Sequence, residues 1–180
     1  MSLDFSHTYV GQEAALVNLF TASFTTSDGP EEGALVGDFA QGLLNRTSTD
    51  DLRVVSAFQD GHRVGAIVFS RLWYADEGRV AFLLSPVAVA TEQQHRGIGQ
   101  ALLTHGIDAL RDEGVAFIAT YGDPAYYGKV GFEPITKSIA RPPMPLSHPH
   151  GWLGQFLGPD TRPMRGACTC VPAAARRDIW

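Results

Sequence analysis

Apolar positions near the start of the chain recur at helical spacing. Leu16, Leu19, Phe20 and Phe24 share one face, which predicts an amphipathic helix from about Gly11 to Phe24. The polar, Gly- and Pro-containing run from Thr25 to Pro30 predicts a loop. A second helix is expected from Glu31 to about Asn45, with Leu35, Phe39 and Leu43 as its buried stripe. Its first-turn acids, Glu31 and Glu32, complement the positive end of a helix dipole. The pattern then changes. Leu52 to Phe58 and Val64 to Phe69 are predicted strands joined across Gln59-Asp60-Gly61-His62, whose Asp-Gly pair signals a hairpin turn. Arg79 to Val89 is a third predicted strand, and Pro86 inside it predicts a bulge or an unpaired position, because proline has no N–H to donate. A helix from about Gly97 to Glu113 carries Gly99, Leu102, Leu103, Gly106, Ile107 and Leu110 on one stripe, and Gly114 ends it.

Val115 to Tyr121 is predicted as an apolar strand. Asp123 is the expected N-cap of a short helix with Pro124 at its first position, and Gly131-Phe132 turns the chain into another strand. Residues 138–165 hold most of the prolines and are predicted as loop, followed by a final strand from Gly166 to Pro172. The order predicts a single α/β domain: a mixed, mostly antiparallel twisted sheet with helices on both faces. Residues 1–137 form the expected core, and 138–180 a Pro-rich loop and C-terminal strand that complete the same domain.

Composition narrows the function classes. At 180 residues the chain is long enough for one domain with a real core and short for two. Hydrophobic residues at 44% and charged residues at 18% fit a globular protein rather than a disordered one. A formal charge of −5 argues against a nucleic-acid surface. No apolar run is long enough to span a bilayer, and Met1-Ser2-Leu3-Asp4 lacks the basic and apolar blocks of a secretory leader, so no membrane partner and a cytoplasmic setting are expected. Two cysteines exclude a disulfide scaffold.

The chemistry concentrates after the Pro86 strand. Leu84-Ser85-Pro86-Val87-Ala88-Val89 leads through Ala90 to Gln93 into Gln94-His95-Arg96-Gly97-Ile98-Gly99-Gln100-Ala101, where a helix opens. First-turn N–H groups of a helix have no internal partner and carry positive partial charge. Gly97 and Gly99 let the backbone approach a ligand closely, so the segment is a candidate seat for a phosphate or pyrophosphate, with His95 and Arg96 as cationic help. Packing or capping would use the same glycines. The segment lacks the Gly-Lys-Ser/Thr ending of a P-loop and the third glycine of a dinucleotide fingerprint.

A second motif follows about thirty residues on. Gln94-x-x-Gly97-x-Gly99 matches the Gln/Arg-x-x-Gly-x-Gly/Ala motif, and Tyr127-Gly-Lys-Val-Gly131-Phe132 the Tyr-x-x-x-Gly-Phe element, of the GNAT superfamily of N-acetyltransferases. The chain resembles that family most strongly from Val64 to Pro134. The Gly122-Asp123-Pro124-x-Tyr126-Tyr127 run is similar to that of one bacterial subgroup. The resemblance implies the GNAT fold, acetyl-CoA as co-substrate, no metal, and direct transfer of an acetyl group to a primary amine of a small molecule or peptide. It implies that the strand before the motif and the strand after its helix splay to admit the pantetheine arm. Val87, Ala88 and Val89 would hold the arm, and an N–H near Val87 would polarise the thioester carbonyl. The pyrophosphate would sit on N–H groups from His95 through Arg96, Gly97, Ile98, Gly99 and Gln100 to Ala101. Tyr127 would protonate the departing thiolate, with Tyr126 as its cofactor-binding neighbour and the alternative acid. Both tyrosines could equally pack the short helix on the sheet.

Some relatives place a Glu on the strand before the motif; Val80 to Val89 contains no carboxylate, so no base is carried over. Asp28, Glu31 and Glu32 lie near the loop that often lines the acceptor site, and as helix-end acids they also serve the dipole. His148-Pro-His150 lacks further ligands at metal spacing and is expected to be solvated. Cys168 and Cys170 are expected to be reduced, buried side chains. Trp73, Trp152 and Trp180 are expected in the core, at its rim or in the acceptor groove, and Arg176-Arg177 in a solvated tail or at a CoA phosphate. The last strand, 167–171, offers an edge for pairing two copies into a homodimer. Two other readings stay open: a non-catalytic acyl-CoA sensor, motivated by the missing carboxylate, and a phosphate-binding protein unrelated to CoA.

Overall fold

The computed structural model describes residues 2–180; the reading of the chain start falls partly on Met1, which lies outside them. Strands are β1 (Asp4–Ser6), β2 (Leu52–Gln59), β3 (His62–Tyr74), β4 (Ala81–Val89), β5 (Phe117–Tyr121), β6 (Glu133–Pro134), β7 (Trp152–Phe156) and β8 (Cys168–Cys170). Helices are α1 (Glu13–Asp28), α2 (Pro30–Arg46), α3 (Ile98–Asp112) and α4 (Pro124–Tyr127). The sheet runs β1-β2-β3-β4-β5-β7-β6, with β8 beside the far end of β3. Only the β4–β5 pairing is parallel; every other pairing is antiparallel. This is the mixed, mostly antiparallel sheet expected, with helices on both faces.

Successive strand side chains point to opposite faces, so β2 and β4 feed two cores at once. Val54 and Leu83 join Leu16, Phe20, Phe39, Leu43, Phe117 and Trp152 under α1 and α2. Val55, Phe82 and Leu84 join Ile67, Phe69, Leu102, Leu103 and Ile107 under α3. Asp60 (φ 50°) and Gly61 (φ 77°) make the two-residue hairpin turn, a left-handed pair that matches strand twist. The irregularity expected at Pro86 is present: the β3–β4 register runs Ile67↔Val87 and then Phe69↔Leu84.

Four expectations change. First, the Thr25–Pro30 loop does not form. α1 continues to Asp28, Gly29 alone (φ 99°) breaks the chain, and Pro30 opens α2 at a position where its missing N–H costs nothing. The helices can pack this tightly because a Cβ on Gly33 would lie 2.8 Å from the Thr21 carbonyl. Second, the α2 stripe is Val36, Phe39, Ala40, Leu43 and Leu44, with Leu35 only half-buried at its margin. Third, the 138–165 segment is not all loop. It contains β7, which pairs with β5 from Tyr121↔Trp152 to Phe117↔Phe156, while the Trp152 indole N–H donates to the Ala140 carbonyl at 2.8 Å. Fourth, β1 forms on β2 without a readable local signal, since three residues cannot show a period.

Other expectations resolve individually. β8 is confined to Cys168–Cys170 and pairs with β3 of its own chain, Tyr74↔Cys168 to Leu72↔Cys170. Both cysteines are free thiols. Trp152 and Trp180 are core, whereas Trp73 is 39% exposed. Arg176 pairs with Asp178 and Asp38, which holds the guanidinium against α2 rather than at a ligand. No helix among the described residues is long and apolar enough to cross a membrane.

Gly154 tests the unexpected strand. A Cβ there would lie 2.8 Å from two atoms of the Phe117 ring and from Ile135. Gly154→Ala should destabilise the fold by about 1–3 kcal/mol through overpacking. The urea unfolding midpoint checks this, and an unchanged midpoint contradicts the β5–β7 packing.

Candidate active site

The parallel β4–β5 ladder is only four pairs long, from Ala81↔Phe117 to Leu84↔Thr120. Beyond it the strands part. β4 passes through Ser85 and Pro86, whose connecting peptide is cis, and stays paired with β3 through Val87, Ala88 and Val89. β5 ends at Tyr121 and turns out through Gly122 into α4. The Thr120 hydroxyl bridges the fork, donating to the Leu84 carbonyl at 2.8 Å.

From Val89 the chain makes a short 3-10 turn, Thr91–Gln93, and then enters α3. His95 (φ 61°) and Gly97 (φ 79°) are left-handed, which curls the loop ahead of α3. The first α3 N–H with an intrahelical partner is that of Ala101, which donates to the Gly97 carbonyl at 3.0 Å. Donors before it are the free first-turn groups of a helix. The loop is braced from behind. The Gln94 side-chain amide donates to the Val89 carbonyl at 3.1 Å, and the Ser23 hydroxyl of α1 donates to the same oxygen at 3.0 Å. Both lone pairs of that carbonyl are therefore used within the protein.

These elements enclose a cavity of about 480 Å³. Val87, Ala88, Val89, Gln94, His95, Gly97, Ile98, Gly99, Gln100, Tyr126 and Tyr127 line it, all singled out from the sequence. Arg96 does not line it: it is exposed, with its guanidinium donating to Gln93 Oε1 at 3.1 Å. Ala101 does not line it either, and its N–H is spent inside the helix. Ser23, Phe24, Ser27, Gln93 and Lys129 also line the cavity and were not singled out. Lys129 sits inside the Tyr-x-x-x-Gly-Phe element and was legible. Ser27 was not, because α1 runs past its expected end, and Ser23 and Phe24, inside the expected helix, carry no local sign that their face meets the cavity.

α4 aims the two tyrosines. Asp123 is the expected N-cap, its Oδ1 accepting from the Ala125 N–H at 2.9 Å. Tyr126 and Tyr127 meet edge to face with ring centroids 5.1 Å apart. The Tyr126 hydroxyl lies directly over Gly99, where a Cβ would collide with it. The Tyr127 ring lies on Gly122, where a Cβ would be 2.7 Å from Cε2. Burial pushes the Tyr127 phenol well above its ordinary 10.0; Tyr126 adds to the rise and the Thr120 hydroxyl opposes it. Burial also raises Tyr126.

No carboxylate lines the cavity. Asp28 closes α1 and accepts from the Ser27 hydroxyl, while Glu31 and Glu32 occupy the first turn of α2. Among the described residues no group of three or more His, Cys, Asp or Glu is placed to hold a metal. The arrangement can therefore seat an anion on backbone N–H groups, hold an extended arm along the free edge of β4, and present one buried phenol at the fork.

Comparison with known proteins follows the same lines. The sequence profile of the Acetyltransferase (GNAT) family matches residues 14–132. The chain is 30% identical over 139 residues to the uncharacterized N-acetyltransferase YjhQ of Escherichia coli K12, covering 74% of this chain and 77% of that protein. Among solved structures, a GNAT family acetyltransferase from Brucella melitensis in complex with acetyl-CoA superposes with TM-score 0.73 at 22% identity, over 96% of this chain and 97% of that one. The Escherichia coli GNAT family N-acetyltransferase YhbS in complex with CoA gives TM-score 0.73 at 22% identity, over 98% and 92%. With that profile matching two thirds of its length and a relative 30% identical over 74% of it, the chain belongs to the GNAT acetyltransferase family.

Proposed function

We propose that the protein transfers the acetyl group of acetyl-CoA directly to a primary amine, in a cytoplasmic setting, and that it belongs with the bacterial relatives carrying Gly-Asp-Pro-x-Tyr-Tyr. One observation carries the reading: free N–H groups at the start of α3 and the buried Tyr127 phenol line the same cavity, at the fork between β4 and β5. The pyrophosphate would rest on the N–H groups of residues 95–100, with Lys129 as an added cation. The pantetheine arm would follow Val87 and Ala88, since the Val89 carbonyl is already taken.

In the reaction the neutral amine nitrogen attacks the thioester carbon. Negative charge grows on the carbonyl oxygen, where an N–H near Val87 would stabilise it. The C–S bond then breaks, the electron pair leaves on sulfur, and Tyr127 gives its proton to the thiolate and recovers one from solvent. The amine proton leaves to water. No cysteine lines the cavity, which supports transfer without an acyl-enzyme intermediate. The absence of a carboxylate from β4 favours one second reading, a non-catalytic acyl-CoA sensor. Thiol release from acetyl-CoA with a panel of amines separates the two: a sensor binds acetyl-CoA and releases none.

Three outcomes follow from this geometry. Tyr127→Phe should lower kcat by about 10²- to 10⁴-fold, the usual weight of a general acid, while calorimetric CoA affinity stays unchanged. Gly97→Ala places a Cβ on a left-handed backbone at a strain of about 1–2 kcal/mol, so the loop should relax and the Kd for CoA rise about tenfold. Because burial raises the Tyr127 phenol, it stays protonated beyond its ordinary range. The pH–rate profile for an alkylamine should therefore climb as the amine deprotonates, with no descending limb below pH about 10. A fall below that pH would remove Tyr127 from the acid role.

A further inference from the structure

Register decides which backbone groups β4 offers past the fork. In an antiparallel pair, bonded and non-bonded positions alternate. The Ala90 N–H donates to the Val64 carbonyl at 2.8 Å, so the neighbouring pair, Gly65↔Val89, is a non-bonded one. The N–H and C=O of Val89 therefore point away from β3, toward the open edge. Val87, paired with Ile67 two positions on, faces the same way. Of these edge groups the Val89 carbonyl is closed to a ligand. The Ser23 hydroxyl holds it at 3.0 Å and the Gln94 amide at 3.1 Å.

The two donors do different things. Gln94 closes the turn from inside, since it lies only five residues after Val89 in the loop that leads to α3. Ser23 ties the same oxygen to α1, a helix anchored in the core by Leu16 and Phe20. A serine inside a helix ordinarily bonds back to its own helix one turn earlier. Thr26 of α1 does so, donating to the Ala22 carbonyl at 3.0 Å. Ser23, only 6% exposed, spends its single proton on β4 instead. It lines the cavity, but the oxygen it has left is a bare acceptor, which gives an anion nothing to bind. Its contribution to the site passes through Val89.

We propose that Ser23 is a positioning residue for CoA: it locks the turn that carries the anion seat onto α1, so that CoA binding and the order of the last turns of α1 are coupled. This rests on the acyl-CoA reading above. Coupling of this kind is reciprocal. A braced turn favours bound CoA, and bound CoA steadies α1 from Ser23 to Asp28. Ser23 takes no part in the transfer itself, so its loss acts on binding and spares the chemical step.

The test titrates CoA calorimetrically into the full chain and its Ser23→Ala variant. Gln94 still holds the Val89 carbonyl in the variant, so the fold stays intact. The Kd for CoA should rise about fivefold, the weight of one net hydrogen bond. With whichever amine releases thiol, the KM for acetyl-CoA should rise by the same factor and kcat should stay within about twofold. Hydrogen exchange gives a readout that simple loss of packing would not move. Saturating CoA should slow exchange of the amides of residues 23–28 about fivefold in the parent chain, and Ser23→Ala should remove at least half of that slowing. A Kd raised by less than about twofold, a kcat that falls while KM stays put, or a CoA-dependent slowing that Ser23→Ala leaves unchanged overturns the proposal. Failure of the transferase reading looks different: CoA binds and no amine releases thiol, and the titration and the exchange then decide the role of Ser23. No binding of CoA to the parent chain overturns both.

Discussion

The site depends on a parallel ladder that stops. β4 and β5 pair for four positions and then leave the pairing at the same level, each for a reason written in its own residues. On β4 the cause is Pro86, which has no N–H to extend the ladder and sits where the register with β3 slips. On β5 the cause is Gly122-Asp123-Pro124, which starts a new helix three residues after Tyr121. Because β4 keeps its partner on the other side, its backbone past the fork is rigid yet unpaired along one edge. A sheet edge inside a protein is normally covered by another strand. Here it faces a cavity that a helix N-terminus and two tyrosines also face.

That constraint explains how a chain of net charge −5 can be built for a polyanion. Full cations are scarce at the cavity: Lys129 lines it, while Arg96 points away and Arg176 is committed to Asp38 and Asp178. In the proposed reading attraction comes instead from backbone dipoles, which no charge count registers. They act only if the loop before α3 holds its shape. Two left-handed residues set that shape, and Gln94 and Ser23 brace it through one carbonyl. Ser23 ties α1 into the site, so the helical hairpin that covers one core also supports the anion seat.

Legibility in the sequence followed the range of the interactions involved. The strand–loop–helix around Gly97 and the Asp123-capped α4 were readable because capping, left-handed turns and helix starts are local chemistry. Pro86 was readable for the same reason. The α1–α2 junction was misjudged because Ser27-Asp28-Gly29-Pro30 has loop composition, while the fold needs only Gly29 to turn between two helices that touch at Gly33. β7 was missed because prolines surround it and its partner, β5, lies about thirty residues earlier; pairing at that distance leaves no local period. Most residues facing the cavity were named in advance. Beyond Gln93 and Lys129, which lie inside the quoted motifs, the additions are set by packing: α1 brings in Ser23, Phe24 and Ser27, while Arg96, named in advance, bonds Gln93 and does not line the cavity.

In the proposed reaction the remaining asymmetry is an acid without a base. The chain supplies a buried phenol with a raised proton affinity at the fork, where the proposed reaction would put the leaving sulfur, and no carboxylate faces the cavity from β4. An amine with a pKa of about 10.4 in water is almost wholly protonated near neutrality and cannot attack in that form. A general base is one remedy; desolvation is another. Burial in an apolar cavity penalises the ammonium and leaves the neutral amine, and each pKa unit of lowering, about 1.4 kcal/mol, gives about tenfold more of the reactive form.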